Sequence, residues 1–344
     1  MREMLRGLLL GRDLSPSEMQ AAMERILAGE ASDLEIATLA LGLRAKGESA
    51  AELEAAARSL RAHACRADLA SSEALLDTCG TGGEARGGFN VTALAAILCA
   101  ACGVHVAKHG NRAVSSRSGS ADLLEALGVP LELDAQAQKH CLREVGIVFL
   151  FAPHHHAAMR HAAAVRRQIP VPTFFNLLGP LSNPAGASHQ LLGVYAADKV
   201  WVMAEALRNL GVRGAWVVHG EGGFDEVSPY GRTYMARVHA EGIEESVLRP
   251  EDFGVEALDP ATLVGGDAAE NARLAQALLA GEVGPLRTLV LMNAASALCA
   301  AEVESSPKVA FERAEQALDS GAAARLLERW VTFGRERASD GGER

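Results

Sequence analysis

Asp77–Asp122, DTCGTGGEARGGFNVTALAAILCAACGVHVAKHGNRAVSSRSGSAD, reads as one strand–helix–strand unit with an unusual loop at each end. Leu75 and Leu76 close a short apolar run that breaks at Gly80-Thr81-Gly82-Gly83. Phe89 to Cys102 is apolar and alanine-rich, long enough for a mostly buried helix, and Gly103 ends it. Val104 to Ala107 read as a second buried strand, which delivers Lys108-His109-Gly110-Asn111-Arg112 and a tail of Ser115, Ser116, Ser118 and Ser120. In an open parallel sheet both loops leave the same carboxyl edge and meet in one crevice. Glycines let backbone approach a ligand closely. The helix starting near Asn90 offers free N–H groups and a positive dipole end. With Lys108, Arg112 and the hydroxyls, these parts form a cradle suited to phosphate. GTGG alone marks any tight turn; its succession by Asn-Val-Thr, KHGNR and SGSAD carries the phosphate reading.

The totals bound the rest. At 344 residues and 49% apolar, the chain can bury a large core, and its length suggests two domains. Only 4% of residues are aromatic, so the core is expected to be aliphatic and alanine-rich. A net charge of −10 gives no general attraction for polyanions, so a phosphate ligand needs a local basic cluster or a bound cation. Nucleic acid is not an expected partner. Leu8 to Leu10 is too short an apolar run for a signal peptide, and no run approaches the roughly 18 residues of a membrane span, so no membrane association is expected. Six cysteines lie scattered; the Cys99/Cys102 pair sits at the end of an apolar helix, where a thiolate gains nothing. A reducing, cytoplasmic setting follows.

Residues 1 to about 65 read as helices. Ser15/Glu18, Ser32/Glu35 and Ser49/Glu52 each spell a capping box, and Pro16 suits a first helical position. Met19, Ala22, Met23, Ile26 and Leu27 form one apolar stripe; Ile36, Leu39, Ala40 and Leu43 form another. Both core and subunit interface are expected of these stripes, because three short helices bury too little alone. Ala67–Glu73 reads as a polar hinge. Beyond the phosphate unit, helices are expected over 121–127, 136–145, 156–167, 200–210, 267–280, 286–301 and, as one helix, 311–333. Strands are expected at 147–151, 191–195, 215–219 and 232–239, the last in an antiparallel pairing. The fold class is α/β: a small N-terminal helical domain (1–69) and a larger domain (70–344) whose mostly parallel central sheet is flanked by helices.

Three further constellations carry chemistry. Asp225-Glu226, after glycines on a loop following a strand, suits a hard cation with oxygen ligands, although an isolated acidic loop is more often a solvated turn. Arg166-Arg167 near a helix end is equally consistent with a solvent-facing pair. His154-His155-His156 invites a metal, yet consecutive helical side chains diverge by roughly 100°, so they do not converge on one ion.

The chain resembles the anthranilate phosphoribosyltransferase family through GTGG, the Asn-x-x helix start, KHGNR, SGSAD, Ala163–Pro184 (AAVRRQIPVPTFFNLLGPLSNP) and Val218–Pro229 (VHGEGGFDEVSP). The resemblance runs through nearly the whole chain. It implies transfer of phosphoribose from 5-phosphoribosyl 1-pyrophosphate (PRPP) to the amine of anthranilate, the second step of tryptophan biosynthesis from chorismate, with Mg2+ as cofactor. It implies PRPP contacts at Gly80, Thr81, Gly82, Gly83, Glu84, Gly88, Asn90, Val91, Thr92, Ala93, Lys108, His109, Gly110, Asn111, Arg112, Ser115, Ser116 and Ser120. Anthranilate would meet Gly80, Asn111, His156, Arg166, Gly179 and Pro180, with the Arg166 guanidinium gripping the carboxylate. Magnesium would be held by Thr92, Asp225 and Glu226. The helical domain, joined by helices from about 156–185, would make a homodimer.

Three positions depart from the family pattern: Glu84 replaces Asp, Gly88 replaces Thr, and Ala93 replaces Thr. A paralogue with a different acceptor is the alternative they leave open. A pyrimidine-nucleoside phosphorylase would lack KHGNR and the Val-Arg-Arg grip. A catalytically silent, nucleic-acid-binding homologue would need a basic groove and would have no use for both Asp225 and Glu226.

Overall fold

The computed structural model describes residues 1–69, 74–82, 88–113 and 117–340. The N-terminal helices are α1 (Arg2–Leu9), α2 (Pro16–Leu27), α3 (Asp33–Lys46) and α4 (Ala50–Ala62). All three capping boxes form, with the serine hydroxyls accepting from the backbone of Glu18, Glu35 and Glu52. Glu52 is itself buried, because its carboxylate also accepts from the Leu14 N–H at 2.8 Å and from the Lys46 ammonium at 2.9 Å.

The second layer alternates strand and helix: β1 (Leu75–Gly80), α5 (Val91–Ala101), β2 (His105–Gly110), α6 (Ser120–Ala126), α7 (Ala135–Val145) and β3 (Ile147–Phe151). Three short helices follow: α8 (Ala152–His155), α9 (Arg160–Gln168) and α10 (Phe174–Leu178). Then come β4 (His189–Gly193), α11 (Lys199–Asn209), β5 (Gly214–Gly220), β6 (Thr233–His239) and β7 (Gly242–Leu248). The chain closes with α12 (Ala268–Leu279), α13 (Pro285–Ala300), α14 (Pro307–Asp319) and α15 (Ala322–Asp340).

The sheet order is β3-β2-β1-β4-β5-β6-β7. Pairings from β3 through β5 are parallel, and β6 and β7 add antiparallel. The chain builds outward from β1 to β3, then returns to the other side of β1 with β4. The carboxyl ends of β1 and β4 therefore form the switch point where an open α/β sheet leaves its crevice. Gly80 and Gly193 are paired there, at the ends of those strands.

Two apolar clusters sandwich the sheet. One packs α5, α13, α14 and α15 against one face. The other joins the N-terminal helices, α9, α10 and α11 to the opposite face through Leu192, Val194, Ala215 and Val217. Every residue of the two N-terminal stripes is at most 4% exposed within the single chain. That corrects the expectation that the stripes are partly intersubunit: α9, α10 and α4 already cover them. The outward apolar side chains of these helices are others, Leu9, Leu10, Leu34 and Leu41.

The sequence differs from the structure in four other places. The helix expected over 311–333 is two helices, broken where Gly321 takes φ +71, a left-handed conformation costly for any residue with a Cβ. The helix expected from His156 starts at Arg160, after a break at His156 and a short turn. Strand β7 carries Glu244, Glu245 and Ser246 at an exposed edge, which hides its alternation from a hydropathy reading. Ala67 and Leu69, in the expected polar hinge, are buried in the core.

Candidate active site

The glycine loop after β1 and the acidic loop after β5 meet at the switch point. Asp225 Oδ2 accepts from the Gly82 N–H at 2.9 Å, across 143 residues of sequence. Gly80 and Gly193 make room for this: a Cβ on Gly80 would sit 2.5 Å from Asp225 Oδ2, and one on Gly193 would overlap the Asp225 carbonyl. Thr81 is anchored by its N–H to the Gly193 carbonyl at 3.0 Å, and its hydroxyl accepts from the Tyr195 N–H at 3.0 Å. Asp225 and Glu226 are both buried. Asn293, on α13, grips the next residue from two sides: its Oδ1 accepts from Val227 N at 3.0 Å and its Nδ2 donates to Val227 O at 3.2 Å.

Beneath the glycine loop lies a buried charged pair from the two central strands. Lys108 is 1% exposed and donates to the Thr78 carbonyl at 2.6 Å, with the Thr92 hydroxyl at 3.5 Å. Asp77 accepts from His109 N at 3.1 Å and from Asn183 Nδ2 at 2.8 Å. Burial pushes the Asp77 carboxyl up and the Lys108 ammonium down, and each charge holds the other partly in its ionised form.

The N-terminus of α5 is bounded by Asn90, whose side chain does not cap the helix. Its amide donates to the Ser118 carbonyl at 3.0 Å, and its Oδ1 accepts from Ser118 Oγ at 3.0 Å and from Asn271 Nδ2 at 3.1 Å. Asn111 is exposed at the rim, and its Oδ1 accepts from the Arg112 N–H at 2.8 Å.

Arg166 is half-buried on α9, its guanidinium 5.6 Å from the centre of the Phe175 ring. Burial pulls it below the usual arginine range. Among the described residues no carboxylate pairs with it. His156 is buried, its Nε2 2.9 Å from the Ser182 carbonyl and its ring edge-on to His109 at 5.1 Å. Burial lowers His156 to about 4 and also pulls His109 well below the usual histidine range, so both rings are neutral near pH 7. Gly179 and Pro180 follow α10, whose Phe174, Phe175, Leu177 and Leu178 are buried.

The glycosyl transferase family a/b domain matches residues 72–324, and the helical bundle domain of that family matches residues 2–64. An anthranilate phosphoribosyltransferase of Rubrobacter xylanophilus is 46% identical over 342 residues, 99% of each chain. The chain belongs to the anthranilate phosphoribosyltransferase family. The crystal structure of the Thermus thermophilus member superposes with a TM-score of 0.89 at 44% identity, covering 96% of this chain and 99% of that one. The Saccharomyces cerevisiae member, in complex with PRPP and Mg, gives 0.88 at 28% identity over 97% and 98%. In complex with 4-fluoroanthranilate it gives 0.86 at 26% identity over 97% of each chain.

Of the residues this family is expected to use, the structure brings Gly80, Thr81, Gly82, Asp225 and Glu226 into one crevice. Gly83, Glu84, Ser115 and Ser116 lie outside the described residues. Several expected contacts do not face the crevice. Val91 and Ala93 are buried, with their N–H groups bonded to the carbonyls of Phe89 and Asn90. Arg112 points outward, its guanidinium taken by Glu125 at 2.6 and 2.8 Å and by Asp122 at 3.2 Å. A phosphate would have to displace two carboxylates to use it. Gly110 is a packing glycine, since a Cβ there would strike Ser120 Oγ and the Phe149 ring. Gly88, where the family has Thr, lies against the backbone of Gly265, 3.1 Å from where a Cβ would be. The Thr92 hydroxyl lies 3.5 Å from the Lys108 ammonium, and the Asp225–Glu226 pair supplies the carboxylate oxygens for a divalent ion. The pair fits magnesium, which takes one or two carboxylates and completes its shell with substrate phosphate and water.

The three histidines separate as their helical spacing requires. His154 lies 3.6 Å from Glu132, His155 Nδ1 is 2.6 Å from the Cys65 carbonyl, and His156 meets Ser182. Among the described residues no group of three or more His, Cys, Asp or Glu could hold a metal ion. Asp77, Asn183, Asn271 and Asn293 were not legible as site residues. A lone Asn in an apolar helix is the only signal any of them leaves.

Proposed function

We propose that this chain transfers phosphoribose from PRPP to the amine of anthranilate, releasing pyrophosphate. The contact that carries the reading is Asp225 against Gly82, which places an acidic pair directly on a glycine loop built for phosphate. The pyrophosphate lies along Gly80–Gly82 and the entry to α5, with Gly83, Ser115, Ser116 and Ser120 as the further contacts that the family resemblance implies. Lys108 supplies positive potential from the floor. Asp225 and Glu226 would hold magnesium, which when bound withdraws charge from the leaving pyrophosphate.

Arg166, a half-buried cation without a protein counter-ion among the described residues, takes the anthranilate carboxylate, and Asn111 orients the ring. Gly179, Pro180 and the neutral His156 form the wall around the ring. The nucleophile is an aromatic amine with a free lone pair, so no side chain attacks. As its nitrogen bonds to the anomeric carbon, the bond to pyrophosphate breaks. The arylammonium formed is acidic enough to lose its proton without a strong base. Catalysis is then alignment of the amine behind that carbon and stabilisation of a charge-separated transition state.

Anthranilate fluoresces and loses that signal when its amine is ribosylated. Loss of fluorescence that needs both PRPP and magnesium is the expected result. Intact PRPP binding without anthranilate turnover would overturn the acceptor assignment and point to another acceptor.

We also propose a homodimer formed through the exposed Leu9 and Leu10 at the end of α1 and Leu34 and Leu41 of α3, an apolar surface that water penalises in a monomer. Among the described residues no helix is long and apolar enough to cross a membrane. We place the reaction in the cytoplasm.

A further inference from the structure

Asn271 stands in the first turn of α12, far in sequence from every motif that marks the crevice, and it is 0% exposed. Its Oδ1 accepts from the Gly266 N–H at 2.7 Å. Its Nδ2 donates to the Gly88 carbonyl and, at 3.1 Å, to Asn90 Oδ1. Only an amide can accept at one end and donate twice at the other; aspartate lacks the donors and a hydroxyl lacks the reach. The Gly88 and Gly265 backbones touch at the same place, with no space for a side chain on either. The turn before α12 is thus locked onto the chain that enters α5.

The consequence falls on Asn90. An asparagine in that position ordinarily folds its side chain back onto the first N–H groups of its helix. Here Asn271 and Ser118 hold the Asn90 side chain, which makes no cap hydrogen bond to α5. The chain entering α5 is thereby fixed through Gly88 and Asn90, two positions expected at the PRPP side of the crevice.

We propose that Asn271 is a positioning residue for PRPP, acting by holding Gly88 and Asn90 in place at the entry to α5. The inference rests on the reading above that PRPP occupies the α5 side of the crevice. Without Asn271 the Gly88 carbonyl loses its donor and Asn90 keeps only its bonds to Ser118, so the segment that meets the ligand is less firmly placed.

Calorimetric titration of PRPP with magnesium tests this on the full chain, with anthranilate binding measured by fluorescence. Asn271→Ala should weaken PRPP about tenfold, the worth of roughly one good hydrogen bond to a charged group, and leave anthranilate within about twofold. The Asn90→Ala/Asn271→Ala double variant should bind PRPP no worse than the weaker single variant, because the two residues act as one unit. If Asn271→Ala does not fold, Ser118→Ala, which removes the 3.0 Å bond to Asn90 Oδ1, should shift PRPP in the same direction by less. Equal losses for both substrates, additive losses in the double variant, or an Asn90→Ala protein with unchanged PRPP affinity would each overturn the inference and leave the transferase reading standing. A wild-type chain that binds no PRPP would overturn both.

Discussion

Asp225 Oδ2 lies 2.9 Å from the backbone nitrogen of Gly82, so the carboxylate proposed for magnesium also pins the loop proposed for pyrophosphate. One side chain thereby ties charge neutralisation to loop position. Gly80 and Gly193 are the residues that let it stand there, and both are at strand ends of the switch point.

Asp225→Asn with Glu226→Gln keeps the hydrogen-bond acceptor at Gly82 and removes the charge. Turnover should fall at limiting magnesium and recover in part at high magnesium, since the ion also binds pyrophosphate directly. The check is the fluorescence rate as a function of magnesium; full activity at limiting magnesium would remove the pair from the metal site.

Arg166→Ala should weaken anthranilate about ten- to a hundredfold, the worth of roughly 1.5 to 3 kcal/mol for a charge-assisted pair, with PRPP affinity little changed. Arg166→Lys should recover little, because an ammonium cannot grip a carboxylate bidentately. Separate binding titrations for the two substrates read this directly, and matched losses for both would misplace Arg166.

The buried histidines set an acid limit. His156 is held at about 4 by burial, and His109 and His155 are lowered by the same cause. In the unfolded chain each titrates near about 6.5. Between those values the unfolded chain binds protons that the folded chain refuses, so stability falls as pH falls through the window and is unaffected above it. His156 alone should cost about 2 kcal/mol between about pH 7 and about pH 5. Urea denaturation of the wild type and of His156→Gln at both pH values measures the difference; equal pH dependence in the two would mean that His156 is protonated in the folded protein.

Leu34 is 78% exposed and Leu41 44% exposed on α3, two turns apart on its outer face. Leu34→Lys with Leu41→Glu should yield a monomer by light scattering with the melting temperature of the chain otherwise retained. Leu39→Lys, on the inner face at 0% exposed, should instead prevent folding. A dimer that survives the outer pair of substitutions would move the interface elsewhere.

Local chemistry determined much of this protein on its own. The capping boxes at Ser15, Ser32 and Ser49 mark three helix starts because the signal is complete within four residues. The strand–helix–strand reading of 77–122 and the antiparallel 232–239 strand hold for the same reason: an apolar run and a turn are local facts. Asp225, Glu226 and Arg166 were legible through motif context, yet nothing in the sequence told which stripe faced a partner and which faced α9 and α10. That choice depends on what covers a surface, which is a long-range property. Tertiary structure alone decided that Asp225 reaches Gly82, that Arg112 is spent on Glu125 and Asp122, and that Asn183, Asn271 and Asn293 hold the site loops from elements 66 to 183 residues away in sequence. A buried asparagine looks like any other letter until the backbone groups that need its donors and acceptor are brought to it, and only the folded chain brings them.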